Sequence, residues 1–286
     1  MNDEIDRFDQ IMFDVTKKMI DQINQYNKQD DDYIKNGLII CGKCNTPKQK
    51  IETLFEKEWI IPVACECKKE YLKQEEEKKA AEKARQRILN LRQKGIADEV
   101  CNDWTFQNDK GYNPKATQTA KRYVDKWAEV KEKNIGLLFY GDVGTGKSFI
   151  AYCIANALID KGIPVLATNL PKLISKIQSS YGDQTEIINQ VERAELLLLD
   201  DLGVERNSDF ALEKVFEIID TRIKSGKPLI VTTNLSPNDF KTNELKFKRI
   251  FDRIIGVTVP VQITGESIRQ KQNKDRTKIA SEILGL

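Results

Sequence analysis

Gly136-Leu137-Leu138-Phe139-Tyr140-Gly141-Asp142-Val143-Gly144-Thr145-Gly146-Lys147-Ser148 runs from an apolar, β-prone stretch into a glycine-rich turn, and Phe149 to Asp160 continue it as a helical pattern. The turn has the form G-x-x-x-x-G-K-S in the context such a motif requires, strand before and helix after. Its glycines let consecutive main-chain N–H groups point inward, and the next helix presents its positive end. Lys147 then reaches the β- and γ-phosphates of a nucleoside triphosphate, and the Ser148 hydroxyl is placed to ligate Mg²⁺. Gly141, Asp142, Val143, Gly144, Thr145, Gly146, Lys147 and Ser148 are therefore the expected nucleotide-binding residues. A glycine-rich turn matching by chance is the alternative, and the flanking pattern weighs against it.

Outward from this loop, short apolar runs at Ile135 to Tyr140, Ile163 to Ala167, Leu196 to Leu199, Pro228 to Thr233 and Val257 to Ile263 alternate with helical stretches. That alternation predicts an α/β fold, a parallel sheet flanked by helices. Leu196 to Leu199 end in Asp200-Asp201, which supplies the acidic partner of the loop. Asp200 is expected to hold Mg²⁺ and Asp201 to polarise the attacking water. The run Val231 to Thr233 ends in Asn234, an amide at the mouth of its strand, where ligands of open α/β sheets bind. Asn234 would also serve as a plain turn or helix cap. Arg249, Arg253 and Arg269 are candidates for neutralising charge in the transition state, from the same chain or a neighbour.

The 286 residues carry 46 Lys and Arg against 44 Asp and Glu, so a uniformly acidic or basic protein is excluded and any nucleic-acid surface must be local. No histidine is present, which excludes histidine general bases and ligands. No apolar run is long enough to span a membrane, and the acidic first residues do not resemble a secretory signal, so the expected location is cytoplasmic. In that compartment six cysteines read as reduced thiols. Cys41-x-x-Cys44, twenty further residues and Cys65-x-Cys67 offer four thiolates, a set suited to a structural Zn²⁺ in a segment with little core of its own. Four unrelated thiols, or a redox pair, are the alternatives. Cys101 and Cys153 read as ordinary buried thiols.

Ile5, Phe8, Met12, Val15, Met19 and Ile23 fall at helical spacing among nine acidic and five basic residues in positions 1–36, an amphipathic helix that packs on its own domain or on a partner. Tyr71 to Lys94 are rich in helix formers and poor in apolar residues in their first half, an exposed helical linker that Gly95 stops. A further helix is expected from Thr117 to Lys131. The expected division is residues 1–70 as the N-terminal helix and cysteine module, 71–95 as linker and 96–286 as nucleotide-binding domain.

Taken in order, GDVGTGKS, LLLLDDLG, TTN, RIFDR and GESIR resemble the AAA+ ATPases of the DnaC/DnaI helicase-loader and IstB group, over roughly residues 95–270 and beginning with GIADEVCNDWTFQN. The resemblance implies an AAA+ P-loop core without the helical lid of larger relatives. It implies an ATPase with Asp200 and Asp201 as Walker B, Asn234 as first sensor, Arg253 as an arginine finger acting on an adjacent subunit, and Arg269 as second sensor. Asp201 stands where many AAA+ proteins carry Glu, which suggests slow, Mg²⁺-dependent hydrolysis suited to a switch. The implied partners are a hexameric replicative DNA helicase gripped by the N-terminal zinc module, single-stranded DNA, and further copies of the chain on the helicase. Lys176 to Gly182 sit where such loaders present a loop to single-stranded DNA, with Tyr181 placed to stack on a base; a tyrosine closing an amphipathic helix is the plainer reading. Lys241 to Lys278, with ten basic and four acidic residues, suit a phosphate backbone or a solvated surface equally. A transposition helper of the IstB kind is the alternative function, though such helpers usually lack the cysteine module. A small-molecule kinase would need a lid insertion that the sequence does not offer.

Overall fold

A computed structural model of the chain describes residues 14–23, 28–54, 57–179, 184–203, 209–236 and 245–285. Two compact units are present, Met1–Lys83 and Ala84–Leu286. The expected positions Ile5, Phe8, Met12, Tyr181 and Gly182 lie outside the described residues.

In the first unit, α1 occupies residues 14–23 and leaves Val15, Met19 and Ile23 exposed. Two antiparallel hairpins follow, β1 (Tyr33–Lys35) with β2 (Leu38–Ile40) and β3 (Gln49–Leu54) with β4 (Lys57–Pro62). Helix α2 (Glu66–Gly95) starts within the second cysteine pair and passes the boundary between the units.

The second unit is built on a five-stranded parallel sheet of order β6-β7-β8-β5-β9. Its strands are β5 (Gly136–Tyr140), β6 (Val165–Asn169), β7 (Leu196–Leu202), β8 (Leu229–Thr233) and β9 (Thr258–Gln262). The apolar runs of the sequence thus became parallel strands, largely buried in β5 to β8 as both-face covering demands, whereas β9 at the sheet edge leaves Val259 exposed. On one face Leu137 and Phe139 of β5 and Leu196 and Leu198 of β7 pack with α3 (Pro114–Asp125), α4 (Trp127–Glu132) and α5 (Lys147–Asp160). On the other face Leu138, Leu197, Leu199 and Val231 meet α6 (Leu170–Ser179), α7 (Gln184–Arg193), α8 (Asp209–Lys224) and α9 (Leu245–Val257). Helix α10 (Ile268–Leu284) follows β9, its N-terminus capped by the Ser267 hydroxyl. The expected single helix from Thr117 to Lys131 is two, because Lys126 at φ −96°, ψ 22° leaves helical geometry.

Arg222 on α8 is wholly buried and holds the second face together. Its guanidinium donates to the carbonyl oxygens of Val191, Ala194, Glu195 and Pro228, tying the end of α7 to the start of β8. Burial lowers its pKa to about 10, so it keeps its charge at neutral pH and the four carbonyls satisfy it.

Candidate functional site

The carboxyl ends of β5, β7 and β8 open into a cavity of about 470 Å³ lined by Gly144, Gly146, Lys147, Ser148, Asp200, Asp201, Asn234 and Arg269, among others. The loop Gly141 to Ser148 has the conformation its glycines allow. Gly141 lies at φ 137° and Gly144 at φ 82°, in the region side chains avoid. A Cβ on Gly141 would come within 2.1 Å of the Ile263 carbonyl oxygen, and one on Gly144 within 2.3 Å of the Ser267 hydroxyl. The Ile268 amide also donates to the Gly144 carbonyl at 2.9 Å, so the start of α10 braces the loop.

Within the loop Thr145 donates its hydroxyl to the Asp142 carbonyl at 2.8 Å, and Val143 is exposed at the mouth. The Lys147 ammonium is buried and donates to the carbonyls of Gly141 and Asp142 at 2.9 and 2.7 Å. Burial lowers its pKa, against the carboxylates of Asp201, Asp142 and Asp200, which favour the charge.

β7 brings both aspartates to the same side through a break in its register. Leu199 pairs with Val231 but Leu202 pairs with Thr233, so Asp200 and Asp201 together face the single residue Thr232. In an unbroken strand neighbours point to opposite faces. Here Asp201 takes φ 59°, and Leu202 packs on the same face as Leu199, which regular alternation forbids. Asp200 accepts the Thr232 hydroxyl at 2.5 Å, and Asp201 Oδ1 accepts the Asn234 amide at 3.0 Å. Burial raises the Asp200 pKa, opposed by the hydroxyls of Thr232 and Ser148, and Asp200 and Ser148 both line the cavity.

Arg269 joins the cavity from α10. Arg253 does not: its guanidinium lies 4.4 Å from the centre of the Phe216 ring and its Nε donates to Asp220 at 3.3 Å, and the Arg249 carbonyl accepts a second, long bond from it. Two contributors escaped the motif reading. Asn113 ahead of α3 donates to the Thr145 carbonyl at 2.7 Å, and Tyr112 lines the same wall. Asn113 immediately before Pro114 is a helix-start signal, which marks the element but not its contact with the loop.

In the first unit the sulfurs of Cys41, Cys44, Cys65 and Cys67 lie within 4.8 Å of one another. Cys41 and Cys65 approach Cys67 at 3.5 and 3.3 Å. The Thr46 hydroxyl and the Cys67 amide hold the Cys44 thiol down to about 5, whereas the sulfurs of Cys65, Cys41 and Cys44 push Cys67 up to about 12. Four thiols this close ionise together only around a cation, and an all-sulfur set of four fits Zn²⁺. Asp32 anchors the turn beside them, accepting the amides of Gln29 and Gly42 and pairing with Lys48 at 2.6 Å.

Among the described residues no helix is long and apolar enough to cross a membrane. Residues 64–276, more than half of the chain, match the profile described as IstB-like ATP binding protein. The replicative helicase loader DnaI of Bacillus subtilis is 29% identical over 150 residues, 48% of this chain and 48% of that protein. The match therefore spans about half of that relative's length. An ATP-binding protein of an insertion sequence in Mycobacterium tuberculosis is 25% identical over 181 residues, 60% of this chain and 71% of that one. A crystal structure of DnaI superposes with a TM-score of 0.50 at 24% identity, covering 59% of this chain and 96% of the other, a likeness of fold. The fold is that of an AAA+ P-loop core.

Proposed function

This chain belongs to the family of IstB-like ATP-binding proteins, and from that premise we propose that it is a slow, Mg²⁺-dependent ATPase that loads a replicative DNA helicase onto single-stranded DNA. The observation that carries the ATPase reading is the convergence of phosphate loop, paired carboxylates, Asn234 and Arg269 on one cavity.

The triphosphate rests on the amides of Gly144 to Ser148, and Lys147 leaves the carbonyls of Gly141 and Asp142 for the phosphates. Ser148 and Asp200 would hold Mg²⁺, which when bound neutralises phosphate charge; a carboxylate and a hydroxyl lining one cavity fit that oxygen-seeking ion. Asp201 orients a water toward the γ-phosphorus and Asn234 fixes the carboxylate that does so. Arg269 stabilises the charge on the departing phosphate. Arg253 supplies the same service to the nucleotide of a neighbouring copy once it leaves Phe216 and Asp220.

Residues 1–70, with Zn²⁺ on Cys41, Cys44, Cys65 and Cys67, form the helicase-binding region; 71–95 tether it to the ATPase domain of 96–286. The similarity to DnaI, named a replicative helicase loader, and the four-cysteine cluster support this assignment. Copies of the chain assemble on the helicase hexamer in the cytoplasm, with Lys176 approaching the phosphates of single-stranded DNA. The similarity to an insertion-sequence protein favours a second reading, a transposition helper.

Native mass measurement of the full chain mixed with the host's replicative helicase, with and without ATP, separates the two. A nucleotide-dependent complex that is lost with Cys41→Ser/Cys44→Ser supports loading. Absence of any complex, with ATP-dependent assembly on duplex DNA instead, supports the transposition reading.

A further inference from the structure

The bulge that brings Asp201 beside Asp200 needs holding, because φ 59° is unfavourable for a residue with a Cβ. One side chain touches both halves of it. Thr232, 1% exposed on β8, donates its hydroxyl to Asp200 Oδ1 at 2.5 Å and accepts the Asp201 amide at 2.9 Å. A hydroxyl has a single proton, so the two bonds fix each other's direction: the proton goes to the carboxylate and a lone pair takes the N–H. Asn234 lies two residues on, and its amide holds the Asp201 carboxylate from the same side. Thr233 between them points the other way, donating to the Leu202 carbonyl at 2.7 Å and accepting the Leu235 amide. Thr232 is thus the one residue opposite two, the point where β8 can set the spacing of the acidic pair.

We propose that Thr232 is a positioning residue for ATP cleavage, its hydroxyl pinning the β7 bulge so that Asp200 faces Ser148 while Asp201 faces the attacking water. The proposal rests on reading the cavity as an ATP-hydrolysing site. Thr232→Val keeps the branched shape and removes donor and acceptor together; Thr232→Ser keeps both. A residue needed only for packing gives the reverse order, spared by valine, which keeps both branches, and weakened by serine, which loses the buried methyl.

The full chain, its Thr232→Val and its Thr232→Ser variant are compared in three measurements: steady-state ATP turnover, affinity for a non-hydrolysable ATP analogue, and hydrogen exchange of the Asp201 amide followed by NMR without nucleotide. Losing a hydrogen bond to a charged group predicts that Thr232→Val lowers kcat about tenfold or more while analogue affinity stays within about threefold. Thr232→Ser restores kcat to within about threefold of the parent. The Asp201 amide exchanges faster in Thr232→Val, with the amides of Leu197 and Leu199 unchanged. Parental kcat in Thr232→Val overturns the proposal, as does an equal fall in kcat and affinity, or a serine variant no better than valine. If the valine variant does not fold, Thr232→Ala against Thr232→Ser makes the same comparison. A parent chain that binds the analogue but never cleaves ATP defeats the ATPase reading instead. The exchange measurement then decides the pinning, and an equally protected Asp201 amide overturns it.

Discussion

Lys147 and Asp142, five residues apart in the phosphate loop, are joined by a hydrogen bond of 2.7 Å from the lysine ammonium to the aspartate's main-chain carbonyl oxygen. The cation is stored on the loop it serves, partly desolvated and ready for an anion that offers more than two carbonyls do.

Lys147→Ala therefore removes one cation from the phosphate site, together with its two bonds to the carbonyls of Gly141 and Asp142. ATP affinity falls by about 100-fold or more, the scale of losing charge-assisted bonds to phosphate. Titration calorimetry with an ATP analogue checks it, and an unchanged circular dichroism spectrum confirms that the fold persists.

Arg253 tests a different distance. Because it rests on Phe216 and Asp220 and outside the cavity, Arg253→Ala leaves the ATP affinity of the single chain within about twofold. In the assembled state, where the residue serves a neighbour, turnover drops about tenfold or more. Parallel nucleotide titrations and turnover assays on dilute chain and on the helicase-bound complex read the two effects separately.

The cysteine cluster predicts one zinc per chain in freshly reduced protein. Cys65→Ser/Cys67→Ser abolishes it. Chelation melts the first unit while the second, which owes nothing to the metal, keeps its unfolding transition. Elemental analysis and calorimetry of the same samples check both.

Asp32 gives the first unit a pH dependence of its own. Burial works against its charge, but the amides of Gln29 and Gly42 and the ammonium of Lys48 outweigh it and depress the pKa. A carboxyl depressed on folding adds stability that is complete above the ordinary aspartate value of about 4 and is lost as pH falls through the lower folded value. Asp32→Asn should thus be destabilised relative to the parent at pH 7, by about 2 kcal/mol, and the difference should shrink progressively below about pH 4. Denaturant unfolding of the full chain, parent against Asp32→Asn, from pH 7 down to the pH at which the thiolates release zinc checks the sign.

The loop Gly141 to Ser148 and the strands beside it were legible because a phosphate cradle demands glycine, lysine and a hydroxyl at fixed spacing, and buried parallel strands demand unbroken apolar runs. The four cysteines were legible for the same reason, since thiolates at close spacing have few other uses. The bulge was not. LLLLDDL reads as a strand with its acids at the end, and nothing in it says that Asp201 turns to a positive φ or that Thr232 opposes two residues. The resting place of Arg253 on Phe216, 37 positions upstream, and the carbonyl cage around Arg222 depend on how α8 meets its neighbours. Tertiary packing of that kind leaves no local pattern.

Asp201→Asn probes the heart of the account, because asparagine tolerates the left-handed backbone and can still accept from Asn234, yet lacks the charge. The decisive measurement is single-turnover release of the γ-phosphate from ATP by the parent chain and by Asp201→Asn, with Mg²⁺. The parent should release one phosphate per site, and the variant should bind ATP equally but release it about 100-fold more slowly. Equal rates in the two proteins, or no release from the parent, would contradict the account.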